Sequence, residues 1–300
     1  MGISRIRVAV VGYGNVGAYV LQAVRSAPDM DLVALVRRTA DRPPELPADV
    51  PVVRELPSDP PADVAVLAVP SRLVPETAER YLARGIRTVD SFDIHEEIPD
   101  VRARLERVAR ASGTVAVLAA GWDPGTDSVI RVLFEAMAPA GTTFTNFGPG
   151  MSMGHSTAVR AIPGVDDAVS LTLPLGFGKH RRLVYVRLAA DGDPDAVRRA
   201  ILTDPYFAHD PTDVVFVDDV SPYRDMGHGV QLERKGVSAG AHNQRFSLRM
   251  SVHNPALTAQ VLVAAARAAM RQAPGAYTLP EIPPIDLLPG DRPSIIRRLV

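Results

Sequence analysis

Two aspartates follow short apolar runs at positions that suit proton chemistry. Residues 87–90 run into Ser91-Phe92-Asp93-Ile94-His95, and residues 114–120 run into Gly121-Trp122-Asp123-Pro124-Gly125. If the runs are parallel strands of one sheet, Asp93 and Asp123 lie at its ligand-binding carboxyl edge. Two carboxylates there form an acidic pocket that would hold an ammonium group and orient a water for proton transfer. A second set, Thr172, Arg181, Arg182, His228, His242, Asn243 and Asn254, is spread over the following part of the chain. Its arginines and histidines suit carboxylates, arginine bidentately. The combination points to an amino acid substrate, one with two charged ends. Structural roles compete: Asp93 is placed to cap a helix opening near His95, and Asp123 to sit in a turn before Pro124. Trp122 suits a core as well as a substrate contact, and His95, His155, His180 and His209 read as solvated or structural.

The chain opens with a place for a redox cofactor. Residues 6–17 read IRVAVVGYGNVG, an apolar run suited to a buried parallel strand that closes in Gly12-Tyr13-Gly14-Asn15-Val16-Gly17. An amphipathic helical pattern follows, with Val16, Val20, Ala23 and Val24 on one face. Strand, glycine turn and helix together form a dinucleotide-binding fingerprint. Gly12 permits the tight turn, Gly14 lets the backbone approach a pyrophosphate, and Gly17 lets the helix pack on the strand. The helix start then presents its N–H groups to the phosphates. The next strand, 32–36, runs into Arg37-Arg38, and Arg37 stands 20 residues past Gly17. An NAD-preferring fold keeps an acid there for the ribose 2′-OH. An arginine pair suits a 2′-phosphate instead, each charge-assisted bond contributing roughly 1.5–3 kcal/mol. The expected cofactor is NADP(H).

Composition narrows the chemistry further. Cysteine is absent, which removes disulfides, thiol nucleophiles and zinc–thiolate sites. Lys179 and Lys235 are the only lysines among 33 basic residues, so a lysine Schiff base or general acid has few candidates. No His/Asp/Glu spacing matches a metal site, and no metal is expected. A serine hydrolase would need a G-x-S-x-G elbow, which is missing. A net charge of −1 gives no electrostatic case for nucleic acid or an anionic membrane. No apolar run reaches roughly 18 residues, and no signal-peptide pattern opens the chain. These features read as a soluble cytoplasmic protein acting on a small molecule.

Three hundred residues suit two domains. Strands expected at 6–11, 32–36, 63–69, 87–90 and 114–120 alternate with helical patterns. That predicts an α/β fold with a Rossmann-type doubly wound parallel sheet. Residues 40–61 are proline-rich and polar, with a short strand at 52–53. Strand ends are where such sheets bind ligands, so Ala68, Val69, Pro70, Ser71, Ser91 and Phe92 join the cofactor set, with Asp93. After Asp123 the rhythm changes. A helix near 126–138 leads to strand-like runs at 144–147, 168–173, 182–188, 213–217, 230–232 and 246–252, with Gly148-Pro149-Gly150 as a turn. The clearest helix among them is 194–202. This predicts an inserted α+β domain carrying a mostly antiparallel sheet. Asn254-Pro255 opens a long helix, 256–271, and the proline-rich tail reads as an extended arm. Expected boundaries are 1–123, 124–254 and 255–300, the last returning to the first.

Read together, these stretches resemble the meso-diaminopimelate dehydrogenase family over nearly the whole chain. The resemblance rests on VAVVGYGNVG (8–17), PDMDLVALVRR (28–38), VDSFDIH (89–95) and GWDPGTDSVIRV (121–132). FGPGMSMGHSTAVRAIPGV (147–165), LTLP (171–174) and HNP (253–255) extend it. GWDPG and GPGxSxGHS together are far more specific than the glycine fingerprint. The resemblance implies an NADP-dependent homodimer, with 124–254 holding dimerisation and substrate regions. It would oxidise the D-configured amino centre of meso-2,6-diaminopimelate to L-2-amino-6-oxopimelate, releasing ammonia. In reverse it would feed lysine and cell-wall precursor synthesis. By motif, Asp93 and Asp123 would hold the reacting amino group and its water. Trp122, Phe147 and the backbone of Met153 and Gly154 would contact substrate. Thr172, one arginine of the Arg181–Arg182 pair and His228 would grip the distant carboxylate, with Asn254 nearby. Only residues 175–179 separate the LTLP motif from the arginine strand, where longer members carry insertions. The resemblance associates this compact branch with tolerance of other D-amino acids.

Two other readings remain in play. A dihydrodipicolinate-reductase-like oxidoreductase shares the plan of Rossmann sheet plus inserted sheet, but would call for a basic His/Lys cluster on a helix. A non-catalytic NADP-sensing module would have no need of the acid pair at the strand ends.

Overall fold

Internal contacts divide the chain into two units, Met1–Val132 with Pro255–Val300, and Leu133–Asn254. The computed structural model describes residues 5–39, 41–44, 46–57, 62–224 and 227–300. Within the proline-rich stretch 40–61, residues 40, 45 and 58–61 lie outside the described residues.

In the first unit, β1 (Ile6–Val11), α1 (Asn15–Ser26), β2 (Met30–Val36) and β3 (Val52–Val53) come first. Next are β4 (Val64–Leu67), α2 (Val74–Leu82), β5 (Arg87–Asp90), α3 (Ile98–Ala111), β6 (Val115–Val117) and α4 (Thr126–Met137). The unit boundary falls inside α4. The second unit contains β7 (Ala140–Met151), α5 (Met153–Arg160), β8 (Val165–Gly176), β9 (Lys179–Leu188) and α6 (Pro194–Thr203). It closes with β10 (Thr212–Phe216), β11 (Gly227–Ser238) and β12 (Ala241–His253). Then α7 (Asn254–Ala269), β13 (Gly275–Tyr277) and α8 (Arg292–Leu299) complete the chain.

Among the described residues the first unit forms one seven-stranded sheet in the order β13-β6-β5-β4-β1-β2-β3. Every pairing in it is parallel. Alternation along β1 sends Val8 and Val10 to one apolar layer and Ala9 and Val11 to the other. The first layer is completed by Val20, Leu21 and Val24 of α1 and by α7. The second is completed by Val74, Ala78 and Leu82 of α2 and Val101, Leu105 and Ala109 of α3. Eleven of the sixteen residues of α7 are buried, so this helix is a core element rather than a one-faced cover. Its Arg267 is held by Asp29, with Nε and Nη2 at 2.5 and 2.7 Å from the carboxylate. The tail is not simply extended: β13 pairs with β6, and α8 ends the chain. Among the described residues, no helix is long and apolar enough to cross a membrane.

The second unit carries a six-stranded sheet in the order β10-β9-β8-β7-β11-β12, antiparallel except for β10 beside β9. One face is covered by α5 and α6 through Val159, Val197 and Ile201 packed on Ala168, Val184, Val186 and Val214. Four strands, β7, β8, β11 and β12, are much longer than the hydrophobic pattern indicates. The stretch Gly148-Pro149-Gly150, expected as a turn, lies inside β7. β11 and β12 form a hairpin whose outer strand is exposed at every second residue, so little apolar signal marks it. The connection between β8 and β9 is the two-residue turn Phe177-Gly178, both with positive φ, as a tight hairpin twist requires.

One buried carboxylate organises the loops that follow β5 and β6. Asp90 Oδ1 accepts from Phe92 N at 3.0 Å and Ala119 N at 3.2 Å, while Ala120 N donates to the Asp90 carbonyl at 2.7 Å. Ala119 is thereby held at φ 53°, a left-handed conformation unfavourable for alanine, and β6 ends three residues short of the expected 120. Burial pushes the Asp90 carboxyl up to about 6. Its native state therefore binds a proton more tightly than the unfolded chain. The stability it supplies is greatest in acid and declines as pH rises from about 4 to about 6. Replacing Asp90 with alanine orphans two buried N–H groups and should lower unfolding free energy by about 2–4 kcal/mol. Urea titrations at several pH values should show that penalty growing as pH falls from 6 towards 4. A penalty that does not vary with pH would contradict this account.

Candidate functional site

The glycine turn joins β1 to α1, and its three glycines have separate causes. A Cβ on Gly12 would lie 2.3 Å from the Ala68 carbonyl oxygen, and φ there is +99°. A Cβ on Gly17 would lie 2.4 Å from the Gly12 carbonyl oxygen, so helix and turn close on each other. At Gly14 a Cβ would meet no protein atom within 4 Å. The fold itself does not require glycine at that point, whereas a pyrophosphate approaching the start of α1 would. Arg37, one residue past β2, places its guanidinium 5.8 Å from the centre of the Tyr13 ring, and Arg38 beside it is exposed. This corner therefore offers an aromatic ring and two cations to a nucleotide. Ala68 packs tightly under the turn, while Pro70 is exposed and Val69, Ser71 and Ser91 are half-buried. Phe92 is fully buried in the α2–α3 layer, so its side chain is unavailable to a ligand.

Across the same edge, β1, β4, β5 and β6 are successive neighbours, and each ends in a residue of interest. The strands that precede the two acids, β5 and β6, lie two and three places from β1 in the sheet. Asp93 is exposed and accepts from the Ser71 hydroxyl at 2.6 Å, which ties the loop after β5 to the one after β4. It caps no helix, since the residues preceding the two helical segments there are Ile94 and Glu97. Asp123 lies in a turn closed by Gly121 N donating to the Pro124 carbonyl at 3.0 Å. Gly121 and Gly125 approach so closely that a Cβ on Gly125 would overlap the Gly121 carbonyl. Trp122, 5% exposed, is buried beside it. The Asp123 carboxyl is driven up to about 8, first by burial and then by the neighbouring Asp127 carboxylate. It is a group matched to moving a proton near neutral or alkaline pH.

In the second unit, ladder register assembles what the sequence leaves scattered. Arg182 is opposite Thr172, Thr172 opposite Gly150, and Gly150 opposite His228, a single row crossing β9, β8, β7 and β11. Residues directly opposite share a face. The Arg182 guanidinium donates to Thr172 Oγ1 and, through Nε, to Asp210 at 2.7 Å. Gly150 must be glycine, because a Cβ would sit 2.3 Å from the Gly227 carbonyl oxygen and 2.6 Å from the His228 Cα. Arg181 takes the opposite face. Its side chain is 50% exposed and pairs with Asp213, Nε to carboxylate 2.6 Å, whereas that of Arg182 is 13% exposed. Of the adjacent pair, Arg182 belongs to the row and Arg181 does not. His242 and Asn243 stand at the far turn of the β11–β12 hairpin, away from this row. Asn254 directly follows His253, which pairs with Gly227 at the near end.

Three histidines lie near the row, and two of them, His155 and His180, make the structural hydrogen bonds that their sequence reading as solvated or structural allows. His228 is 7% exposed; its Nδ1 lies 2.8 Å from the Gly229 carbonyl, which only accepts, so Nδ1 carries the proton. Its Nε2 is then a lone-pair acceptor rather than a cation. Phe147 N donates to His180 Nε2 at 2.9 Å, locking the Phe147 strand to β9. Period-2 spacing from Arg182 was the available signal for His180. His155 Nδ1 meets the Ser152 hydroxyl at 2.7 Å just before α5, and so fixes the segment that begins Met153-Gly154. Burial, followed by the Arg182 charge, lowers His155 to about 4 and lowers His180. His228 is lowered by burial too, with Arg182 contributing. The row therefore holds one permanent cation among neutral imidazoles. Among the described residues, no group of three His, Asp or Glu side chains is arranged to hold a metal ion.

Two family models match parts of the chain. Residues 6–90 match the oxidoreductase family with NAD-binding Rossmann fold, and residues 121–178 match the diaminopimelic acid dehydrogenase C-terminal domain. A meso-diaminopimelate D-dehydrogenase of Bacteroides fragilis is 51% identical over 300 residues, covering 99% of this chain and 100% of the relative. The structure of a Corynebacterium glutamicum DAP dehydrogenase in complex with DAP superposes with a TM-score of 0.89 at 34% identity, covering 99% and 100% of the two chains. An engineered D-amino acid dehydrogenase bound to NADP+ gives 0.86 at 33% identity, with the same coverage.

Glycine replacements separate the fold's needs from a ligand's. Gly14→Ala should fold with an unchanged melting temperature yet lose dinucleotide affinity, measured by fluorescence titration. Gly17→Ala should lower the melting temperature itself. Equal thermal losses in both variants would contradict the open face at Gly14.

Proposed function

The chain belongs to the meso-diaminopimelate D-dehydrogenase family, and from that membership we propose that it carries out the NADP-dependent oxidative deamination of the D-centre of meso-2,6-diaminopimelate. The products are L-2-amino-6-oxopimelate, ammonia and NADPH, and the reverse amination is the biosynthetic direction. The observation that carries the assignment is the Arg182–Thr172–Gly150–His228 row, a preassembled grip for an amino acid end.

The cofactor corner fits NADP. The turn from Gly12 through Tyr13, Gly14, Asn15 and Val16 to Gly17 takes the pyrophosphate, and Arg37 and Arg38 take the 2′-phosphate and adenine. Ala68, Val69, Pro70, Ser71, Ser91 and the Phe92 backbone border the remainder. When bound, NADP+ supplies the acceptor for the hydride leaving the substrate Cα. The chain's own residues do the rest. Asp93 and Asp123 hold the reacting amino group and its water, and Asp123 handles a proton. Arg182 binds the distal carboxylate, with Thr172 fixing its guanidinium. His228 accepts from the distal ammonium through Nε2. Trp122, Phe147, the Met153–Gly154 backbone and Asn254 complete the substrate contacts.

The two-residue β8–β9 turn leaves this region without the insertions of longer family members, which supports acceptance of simpler D-amino acids. β12 is an edge strand of thirteen residues. An edge of that length needs cover, and a second copy of the chain supplies it in the homodimer we propose. Lysine and cell-wall precursor synthesis assigns the enzyme to the cytoplasm.

NADP+ reduction at alkaline pH should occur with meso-diaminopimelate and not with the LL isomer, and should fall sharply with NAD+. Absence of turnover on the meso form, with NADPH still bound, would favour a sensor instead. Arg182→Ala should raise KM for the meso substrate by about 10- to 150-fold, the equivalent of one charge-assisted bond of roughly 1.5–3 kcal/mol. Arg181→Ala should leave KM within about twofold, because its exposed pair is worth at most ~1 kcal/mol and touches no row residue.

A further inference from the structure

We propose that Asp127, held by Arg131, is a positioning residue that keeps a proton on Asp123, so that Asp123 meets substrate as a carboxylic acid. The inference rests on the dehydrogenase reading above. Asp127 lies in the first turn of α4, is 1% exposed, and sits four residues from Asp123 on one side and four from Arg131 on the other. Both Nε and Nη2 of Arg131 donate to Asp127 Oδ2, each at 3.1 Å. The Ser128 hydroxyl donates to Oδ1 at 3.2 Å, and Asp127 N donates to the Trp122 carbonyl at 3.0 Å. The Asp127 carboxyl is thus fixed on both oxygens and pinned to the turn that presents Asp123.

Asp127 is the acidic side chain that bears on Asp123, four residues away at the start of the helix that leaves the same turn. A carboxylate near a second buried carboxyl disfavours the ionisation of that neighbour. The guanidinium, aimed at Asp127 alone, stabilises charge there, as does the N-terminal turn of α4. The fixed Arg131–Asp127 ion pair thus leaves Asp123 as the group that its surroundings push towards the protonated form. The charged groups acting on Asp123 are Asp127 and Arg131; the neighbouring acids on the β5 side are turned away, Asp90 onto Phe92 N and Ala119 N, Asp93 onto Ser71. Burial and the Asp127 charge both act to raise the Asp123 carboxyl.

In the amination direction the Asp123 O–H bond breaks and its proton goes to the hydroxyl leaving the carbinolamine carbon, which departs as water. This leaves an iminium carbon and the Asp123 carboxylate. In deamination the carboxylate takes the proton from the water adding to that carbon. The pair thereby places the acid limb of the deamination profile well above the ordinary carboxylate range.

The test is the pH profile of kcat/KM for deamination in wild type and Asp127→Asn. Removing the charge should move the acid limb down by ~1–3 pH units. A structural role would lower the rate without moving the limb, and that result would overturn the proposal. Infrared difference spectra of the wild type at pH 7, referenced to Asp123→Asn, give a readout independent of turnover. A protonated-carboxyl carbonyl stretch assigned to Asp123 is expected, and its absence would overturn the proposal even if Asp127→Asn fails to fold. An enzyme with that stretch but no activity on diaminopimelate would instead count against the functional reading.

Discussion

Close approach of one backbone to another is the constraint on which both halves of this chemistry depend. In the first unit the turn after β1 comes so near the end of β4 that Gly12 leaves no room for a Cβ beside the Ala68 carbonyl. That contact lets the start of α1 face outward at Gly14. In the second unit Gly150 lies against Gly227 and His228 with the same lack of space. A side chain there would wedge β7 from β11 and separate His228 from Thr172 and Arg182. Glycine is required at these points for space, and each vacancy sets the position of side chains several residues away.

The electrostatics then follow from burial. Taking a group out of water penalises its charged form, so acids rise and imidazoles fall. Asp90 and Asp123 are raised in the first unit; His155, His180 and His228 are lowered in the second. Arginine resists this pressure because its guanidinium remains protonated throughout the accessible range. Arg182 therefore keeps its charge, pairs with Asp210, and suppresses protonation of the imidazoles near it. With only two lysines in the chain, titratable cations are scarce.

Parts of this arrangement were legible because they depend on local spacing. The run at 6–11, the glycines after it and the apolar face of α1 form a signal read within one turn of chain. Asp93 and Asp123 stand out in the sequence because each follows a buried run. Other parts were illegible for identifiable reasons. α5 is short and weakly patterned, β12 alternates exposed and half-buried residues, and the glycines inside β7 mimic a turn. The hydrogen bonds of His180 to the Phe147 strand and of His155 to Ser152 appear only once the chain is folded.

What the sequence determined by itself is the class of chemistry: a dinucleotide turn, cations suited to a 2′-phosphate, and acids at strand ends. Each is a property of residue type and spacing within a single element and its following loop. Tertiary structure alone decided which arginine of the adjacent pair joins the row, and that Asp127 lies against Asp123 under the hold of Arg131. Adjacent residues on a strand point to opposite faces, so a one-residue choice of register selects Arg182 and turns Arg181 to Asp213. Burial likewise belongs to the fold and not to the residue, and it is burial that turns an ordinary aspartate into an acid.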